Sequence, residues 1–315
     1  MSVAMTPKVS IVLPVFNGGS YLRECIGSVL AQRLSEFELV IGDDCSTDIS
    51  RSVIESFSDE RIRYAFREKN LGLFGNLNQL IKEARAPLVR ILCQDDILEK
   101  ECLADEISFF EEHPDIAMSF CKMTTIDENG KEIERAALKD LPEIIEPVLS
   151  SQLFLYYGCI PGNLTPVCVR RVCFETIGLF DESFRVAADY DLWVRICQGK
   201  KMGVIHKHLV RVRSHSKQLG RAPASGVQCI AETRKIRSAL LTMVPGEIRP
   251  WARLYIKLRP NVLAAHHSVR CVLQGRLGDF LKIVRVMGVG DFSFGVLCWL
   301  VTGNNHFYRP RPKVV

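Results

Sequence analysis

Two acidic pairs stand out in the first hundred residues, Asp43-Asp44 in VIGDDCS and Asp95-Asp96 in LCQDDIL. Each pair follows a short apolar run, FELVIG at 37–42 and LVRILC at 88–93. Adjacent carboxylates repel one another unless something positive lies among them. A divalent cation carrying its own anionic ligand meets that need, and oxygen ligation selects Mg2+ or Mn2+ over zinc. A third apolar run, VSIVLPV at 9–15, leads into Pro14-Val15-Phe16-Asn17-Gly18-Gly19. It places an aromatic ring and two glycines where the chain must turn. One Asp at a strand end also reads as a helix cap. Two pairs on one rim are harder to explain that way.

The elements that must position these residues alternate in period. The run 9–15 is short, apolar and β-branched, which marks a strand buried on both faces. Residues 18–32 then place Leu22, Ile26, Val29 and Leu30 on one helical stripe, with Ser20 as a candidate cap. Strand 37–42, helix 48–57, strand 61–66, helix 74–84, strand 88–93 and helix 98–113 follow. Such alternation predicts βαβ units and an α/β fold with a mostly parallel central sheet covered by helices on both faces. Ligands of these sheets bind outside the carboxyl ends of the strands. Phe16 and both acidic pairs fall there.

Beyond residue 115 the spacing predicts strands at 116–133 (turning at Asn129-Gly130), 165–171 and 202–213, and helices at 147–158 and 187–198. From about 228 the chain reads as helical and basic, so we expect a main domain over 1–227 and a helical extension over 228–315. Residues 1–220 carry 26 Lys and Arg against 32 Asp and Glu (net −6), and residues 221–315 carry 15 against 4 (net +11). A basic tail suits phosphates or an anionic membrane surface, and equally a solvated helical face. The apolar stretch 286–303 is broken by Asp291 and four glycines, short of a membrane span.

A chain of 315 residues at 47% apolar can bury a sizeable core, which excludes disorder. The twelve cysteines are scattered through apolar runs without a CxxC pair, which fits buried thiols in a reducing cytoplasm. MSVAMTPKVSIV lacks the charged and apolar regions of a signal peptide. No GxGxxG follows the first strand, which argues against a dinucleotide-dependent oxidoreductase.

Taken in order, VSIVLPVFNGGSYLRECIGSVLAQ, ELVIGDDCSTD, RIRYAFREKNLGLFGNLNQLI, APLVRILCQDDIL and FDESFRVAADYDLWVRI resemble the motifs of the family 2 glycosyltransferases. The resemblance covers roughly residues 8–215 and implies the GT-A nucleotide-diphospho-sugar transferase fold. It implies that Pro14, Phe16 and Asn17 line the donor site, with the Phe16 ring on the nucleobase. Asp44 would accept a hydrogen bond from the base, and Asn70 and Gly72 would belong to a loop closing over ribose and sugar. Asp95 would face the ribose or sugar. Asp96 would ligate Mn2+ or Mg2+ bridging the diphosphate, with His215 as a further ligand or phosphate contact.

The resemblance also implies an inverting transfer in which a carboxylate takes the acceptor's proton. Asp189 matches that position, although Ala188 stands where the family often has Glu. Asp191 is the neighbouring rival, read on its own as a first-turn helix charge. The implied donor is a UDP-sugar, with dTDP possible. The implied acceptor is a hydroxyl of a glycan or a lipid-linked saccharide. No QxxRW signature is present, which favours transfer of one sugar over polymer extrusion. The expectation is a cytoplasmic enzyme, peripheral at the inner membrane face through its basic tail, with no nucleic-acid partner. A non-catalytic module binding nucleotide-sugar or glycan is the alternative.

Overall fold

The computed structural model describes residues 6–135, 141–216, 218, 223–256, 268, 271–275, 277–287 and 293. Its first half alternates as β1 (Val9–Val15), α1 (Gly19–Leu30), β2 (Phe37–Asp43), α2 (Ser50–Glu55), β3 (Ile62–Phe66), α3 (Gly72–Glu83) and β4 (Leu88–Ile91). A short β5 (Ile97–Leu98), α4 (Cys102–Glu112), β6 (Ile116–Ile126), β7 (Glu132–Arg135) and β8 (Ile144–Ile145) follow. Then come α5 (Pro147–Tyr157), β9 (Val167–Arg170), α6 (Arg171–Ile177), α7 (Ala188–Cys197), β10 (Lys201–Arg213) and α8 (Pro223–Leu240).

Packing divides the chain into two compact units. The first comprises Met1–Pro147, Pro161–Glu182 and Arg195–His215; the second comprises Val148–Ile160, Ser183–Val194 and Ser216–Val315. The first unit holds the sheet, in the order β3-β2-β1-β4-β9-β6-β10-β5, with β7 on β6 and β8 on β10. Six strands of that path run in one direction, and β9 and β5 run against it. The expectation of a mostly parallel α/β sheet is met.

The uniform burial of β1 and β2 shows that both sheet faces are covered. Val9, Ile11, Leu13 and Val15 pack in one core with Leu22, Ile26 and Val29 of α1 and with Leu103, Ile107 and Phe110 of α4. On the alternate positions, Gly42 lies against α3, where its carbonyl accepts from Asn76 Nδ2 at 2.6 Å. Arg90 of β4 and Glu106 of α4 form a fully buried ion pair at 3.1 Å. It ties the strand before the second acidic pair to its helix.

Several local expectations need correction. Ser20 does not cap α1; Gly18 holds that position without a side-chain cap. The amides of Gly18 and Gly19 instead donate to Ser50 Oγ at 2.9 Å and Asp48 Oδ2 at 3.0 Å, so α1 is capped from the α2 entry. α4 begins at Cys102 rather than at 98, because Ile97 and Leu98 pair with Arg211 and Val210 as β5. Arg171 opens a helix instead of ending a strand. The 286–303 stretch lies almost entirely outside the described residues.

In the second unit, Tyr190 of α7 donates its hydroxyl proton to the Phe154 carbonyl of α5. The backbone of the turn before α7 is held by α8, as described below. Cys271 and Ile283 form a small separate core with Ile230 and Phe280. No described helix is long and apolar enough to cross a membrane.

Candidate active site

The parallel register sets Val15 beside Asp43, so the chain leaves β1 and β2 at the same level. The Asp44 amide extends that ladder by donating to the Val15 carbonyl at 2.7 Å. Just beyond, Phe16 projects with 48% of its surface exposed, whereas Pro14 is buried within β1. Asn17 adopts a left-handed backbone (φ 51°), a conformation asparagine tolerates better than most residues. Its Oδ1 accepts from the Thr47 amide at 2.9 Å, and its own amide donates to Ser46 Oγ at 2.9 Å. Gln94 grips the Phe16 backbone from both sides, accepting from its N–H at 2.8 Å and donating to its carbonyl at 3.0 Å. A Cβ at Gly18 would collide with that Gln94 side chain, which explains a glycine there.

Asp44 is almost fully buried, and both its oxygens accept from backbone amides: Leu71 at 2.7 Å and Gly72 at 2.9 Å. Asn70 completes the link, donating through Nδ2 to the Asp44 carbonyl at 3.2 Å and accepting from the Gly72 amide at 3.0 Å. Gly72 has φ +77°, a region disfavoured for residues with a Cβ. The structure thus brings Asp44, Asn70 and Gly72 together. The carboxylate sits at the N-terminus of α3, where helix amides and dipole favour a negative charge.

The second acidic pair divides into two different environments. Asp96 is 1% exposed, with Oδ1 accepting from the Arg213 amide at 2.8 Å and Oδ2 accepting from the Thr165 hydroxyl. Burial, with the neighbouring Asp95 charge second, pushes its carboxyl above the ordinary range. Asp95 retains 17% side-chain exposure, and its Oδ2 lies 2.9 Å from Nε2 of His215. Cys93, Asp95 and Asp96 each offer a ligand atom within 4.8 Å of the others. The two carboxylates fit Mn2+ or Mg2+, the His215 imidazole is a donor that suits Mn2+ better than Mg2+, and the soft Cys93 thiol suits neither.

Arg213, which the sequence did not single out, braces this corner. Its guanidinium donates to the carbonyls of Asp95, Asp127 and Glu128 at 3.0, 3.1 and 3.1 Å and pairs with Glu24 at 2.6 Å. It stacks 4.5 Å over the Tyr21 ring, which itself lies 5.2 Å from the His215 ring. The only sequence signal was a charged residue closing an apolar strand. Thr165 and Gln94 gave none, because their partners are distant in the chain.

Asp189 belongs to the second unit, in the first turn of α7. Its Oδ1 accepts from the Tyr190 amide at 2.7 Å, and Cys159 Sγ lies 3.8 Å from its Oδ2. Burial pushes its carboxyl up to about 6, with the Glu232 charge contributing in the same direction. A carboxylate poised there ionises near neutrality and retains enough basicity to take a proton. Asp191 donates its amide to the Ala187 carbonyl at 3.1 Å, as an ordinary first-turn helix residue does.

Comparison with known proteins places this geometry. The family model described as Glycosyl transferase family 2 matches residues 10–160. An uncharacterized glycosyltransferase of Rickettsia prowazekii (strain Madrid E) is 29% identical over 221 residues, covering 68% of this chain and 66% of its own. The putative teichuronic acid biosynthesis glycosyltransferase TuaG of Bacillus subtilis (strain 168) is 30% identical, covering 41% of this chain and 52% of its own. The chain thus spans about two thirds or less of the length of these relatives. Among solved structures, S. aureus TarS 1-349 in complex with UDP superposes with TM-score 0.61 at 18% identity, covering 96% of this chain and 94% of that one. The mannosyltransferase PcManGT from Pyrobaculum calidifontis, in complex with GDP-Man and Mn2+, gives TM-score 0.57 at 14% identity, covering 95% and 87%. The sheet order and these likenesses agree: residues 10–160 match the family 2 glycosyltransferases, and the chain has the GT-A fold of these solved structures.

Proposed function

We propose that the protein is an inverting glycosyltransferase that moves one sugar from a UDP-sugar to a hydroxyl of a glycan or lipid-linked acceptor. The observation that carries this reading is the asymmetry of the second acidic pair. Asp96 is buried with both oxygens engaged, while Asp95 stays partly exposed against His215. This division differs from the sequence expectation, in which Asp96 was the ligand. Asp95 and His215 would hold Mn2+ or Mg2+, which when bound supplies Lewis-acid neutralisation of the leaving nucleoside diphosphate. In this reading Asp96 fixes the loop that presents Asp95.

The remaining roles follow from the chain's own groups. Phe16 offers an exposed ring for stacking on a base, held by the two-sided Gln94 grip. Pro14 and Asn17 shape that turn. Asp44 acts through the loop it ties down, setting the Asn70–Gly72 backbone around ribose and sugar, rather than through a free acceptor oxygen. Asp189 accepts the acceptor hydroxyl's proton as the new glycosidic bond forms and the bond to the diphosphate breaks. Uridine is favoured because the TarS likeness is to a UDP complex, although the PcManGT complex holds a guanosine nucleotide.

Thermal shift with UDP, dTDP, GDP and CMP, each with and without Mn2+, tests the donor and metal assignments. A ligand that binds only the folded state adds about 2.7 kcal/mol at a hundredfold excess over Kd. The expected result is stabilisation by UDP that requires Mn2+. An equal shift without metal would remove the cation from the proposal. No shift with any nucleotide would turn the argument toward a non-catalytic glycan-binding module.

We further propose that residues 228–315 form a basic extension that brings the enzyme to an anionic membrane surface carrying its acceptor. Trp251, Leu273 and Leu281 expose 71%, 82% and 63% of their surface, and Arg253, Lys282 and Arg285 lie close to them in sequence. Apolar and cationic residues together suit an interface rich in acidic lipid. The full chain is expected to cosediment with vesicles containing phosphatidylglycerol and to be released by salt. The Lys282→Glu/Arg285→Glu double variant should bind less. Equal binding to neutral phosphatidylcholine, or an unaffected variant, would sink the idea.

A further inference from the structure

The strongest unassigned arrangement lies in the second unit, on a helix beyond the 10–160 match. Glu232 of α8 is only 6% exposed, yet it makes no use of its charge at the surface. Its Oε1 accepts from the Arg185 amide at 2.8 Å, and its Oε2 accepts from Val186 at 3.0 Å and Ala187 at 2.8 Å. Gln228, one helical turn earlier, donates Nε2 to Oε1 at 2.7 Å. One turn later, Lys235 places its ammonium 4.6 Å over the ring of Phe184. Positions 228, 232 and 235 share one helical face. That face grips the turn immediately before α7, whose first residues are Ala188 and Asp189.

Three consecutive backbone amides directed at one carboxylate form an anion-binding concavity, here occupied by a side chain from another element. Burial works to raise the Glu232 carboxyl, and the amide and Gln228 hydrogen bonds outweigh it, holding it below its ordinary value. The charge is therefore kept and used. A turn without such an acceptor would leave three amides to find other partners, and the start of α7 would lose its fixed direction.

We propose that Glu232 is a positioning residue for the transfer reaction: by clamping the amides of 185–187 it fixes the turn that aims Asp189, which makes α8 part of the catalytic machinery. This rests on the assignment of Asp189 as base. It also means that the helix spanning 223–240 serves the reaction, whatever the remaining basic residues do.

Glu232→Gln is the informative substitution. All four groups facing the carboxylate are donors, so the carboxamide N–H2 meets donors on at least one side and the clamp opens without a change of size. The variant should fold, keep the donor KM of the wild type and lose kcat by about 10- to 100-fold, the scale of a misplaced catalytic group. Hydrogen exchange at the 185–187 amides should accelerate in parallel. A folded variant with wild-type kcat overturns the proposal, as does a fall in kcat with unchanged exchange at 185–187. Should the glutamine variant not fold, Gln228→Ala removes a single donor to the carboxylate. It should show the same split at smaller size, and unchanged kcat with faster exchange would again overturn the proposal. Asp189→Asn run alongside separates the two ideas. An active Asp189→Asn enzyme defeats the base assignment itself. An inactive one beside an unaffected Glu232→Gln defeats only the clamp.

Discussion

Asp189→Asn is expected to cut kcat by about 10²–10⁴-fold, the usual contribution of a positioned base, while making the folded protein more stable above pH 6. The two effects share one cause. Burial lifts the carboxyl from 3.8 to about 6, so at neutral pH the folded state holds a carboxylate in surroundings that favour the acid. A group of this kind costs nothing below pH 3.8, where it is protonated in both folded and unfolded chains. The cost grows as pH rises through the interval and is complete above about 6. Linkage sets its upper bound at about 3 kcal/mol, reduced by the part of the side chain that reaches solvent. Asparagine keeps an oxygen for the Tyr190 amide and carries no charge, so it escapes that cost. The check is the melting temperature of both proteins at pH 8 and pH 4, beside turnover at pH 8. A stability gain at pH 8 that vanishes at pH 4, with turnover lost, supports a base held at an energetic disadvantage. Retained turnover would move the proton elsewhere. Lost turnover without the gain would point to a carboxylate stabilised by its surroundings, unsuited to taking a proton.

Much of this architecture was legible because it is local. The runs 9–15 and 37–42 became buried strands with little change, since short apolar runs bounded by polar turns have few other solutions, and the more polar 61–66 became the half-buried β3. The helical stripe expected of α1 likewise held: Leu22, Ile26 and Val29 are buried, and Leu30 is half-buried. What the sequence concealed are bonds between distant segments. Ser20 looked like a cap beside its own helix, but the amides of Gly18 and Gly19 are satisfied some thirty residues away by Ser50 and Asp48. Gln94 is an unremarkable polar residue until its carboxamide is seen spanning both backbone groups of Phe16. Glu232 carries the same lesson further. In the sequence it is one of four acids in a basic tail; in the structure it organises the turn before Asp189.

The acidic pairs show why residue type alone underdetermines role. Asp43-Asp44 and Asp95-Asp96 are chemically identical dipeptides, each following an apolar run. In the first pair, Asp43 Oδ2 accepts from the Ser46 amide at 3.1 Å and Asp44 serves the start of α3, so both act on neighbouring backbone. Capping holds for Asp44 at the start of α3, whereas Asp43 bonds a turn amide ahead of α2 and keeps Oδ1 buried without a partner. In the second, only Asp96 is spent on a backbone amide.

The contrast yields the second large prediction, a separation of metal binding from stability between neighbouring residues. Asp95→Asn should leave the fold intact, because its partly exposed side chain faces His215 rather than buried backbone. It should weaken Mn2+-dependent nucleotide binding by more than the about 10- to 100-fold lost with an outer-shell partner of a metal ligand. Asp96→Ala should do the reverse. It strips acceptors from the Arg213 amide and the Thr165 hydroxyl, both in buried surroundings, at about 1–3 kcal/mol for each unsatisfied donor. Relief of that carboxyl's burial cost offsets part of the loss, so the net fall in stability should lie toward the lower end. Asp96→Asn should sit between wild type and alanine, since Thr165 can turn its hydroxyl to accept from the new amide. Melting temperature and Mn2+-dependent UDP affinity, measured on all three variants, decide the matter. If Asp96→Ala abolishes the metal effect and leaves the melting temperature unchanged, the ligand is Asp96, and Asp95 is its support. If the two variants lose both properties equally, the pair acts as one unit, and the distinction drawn from burial fails.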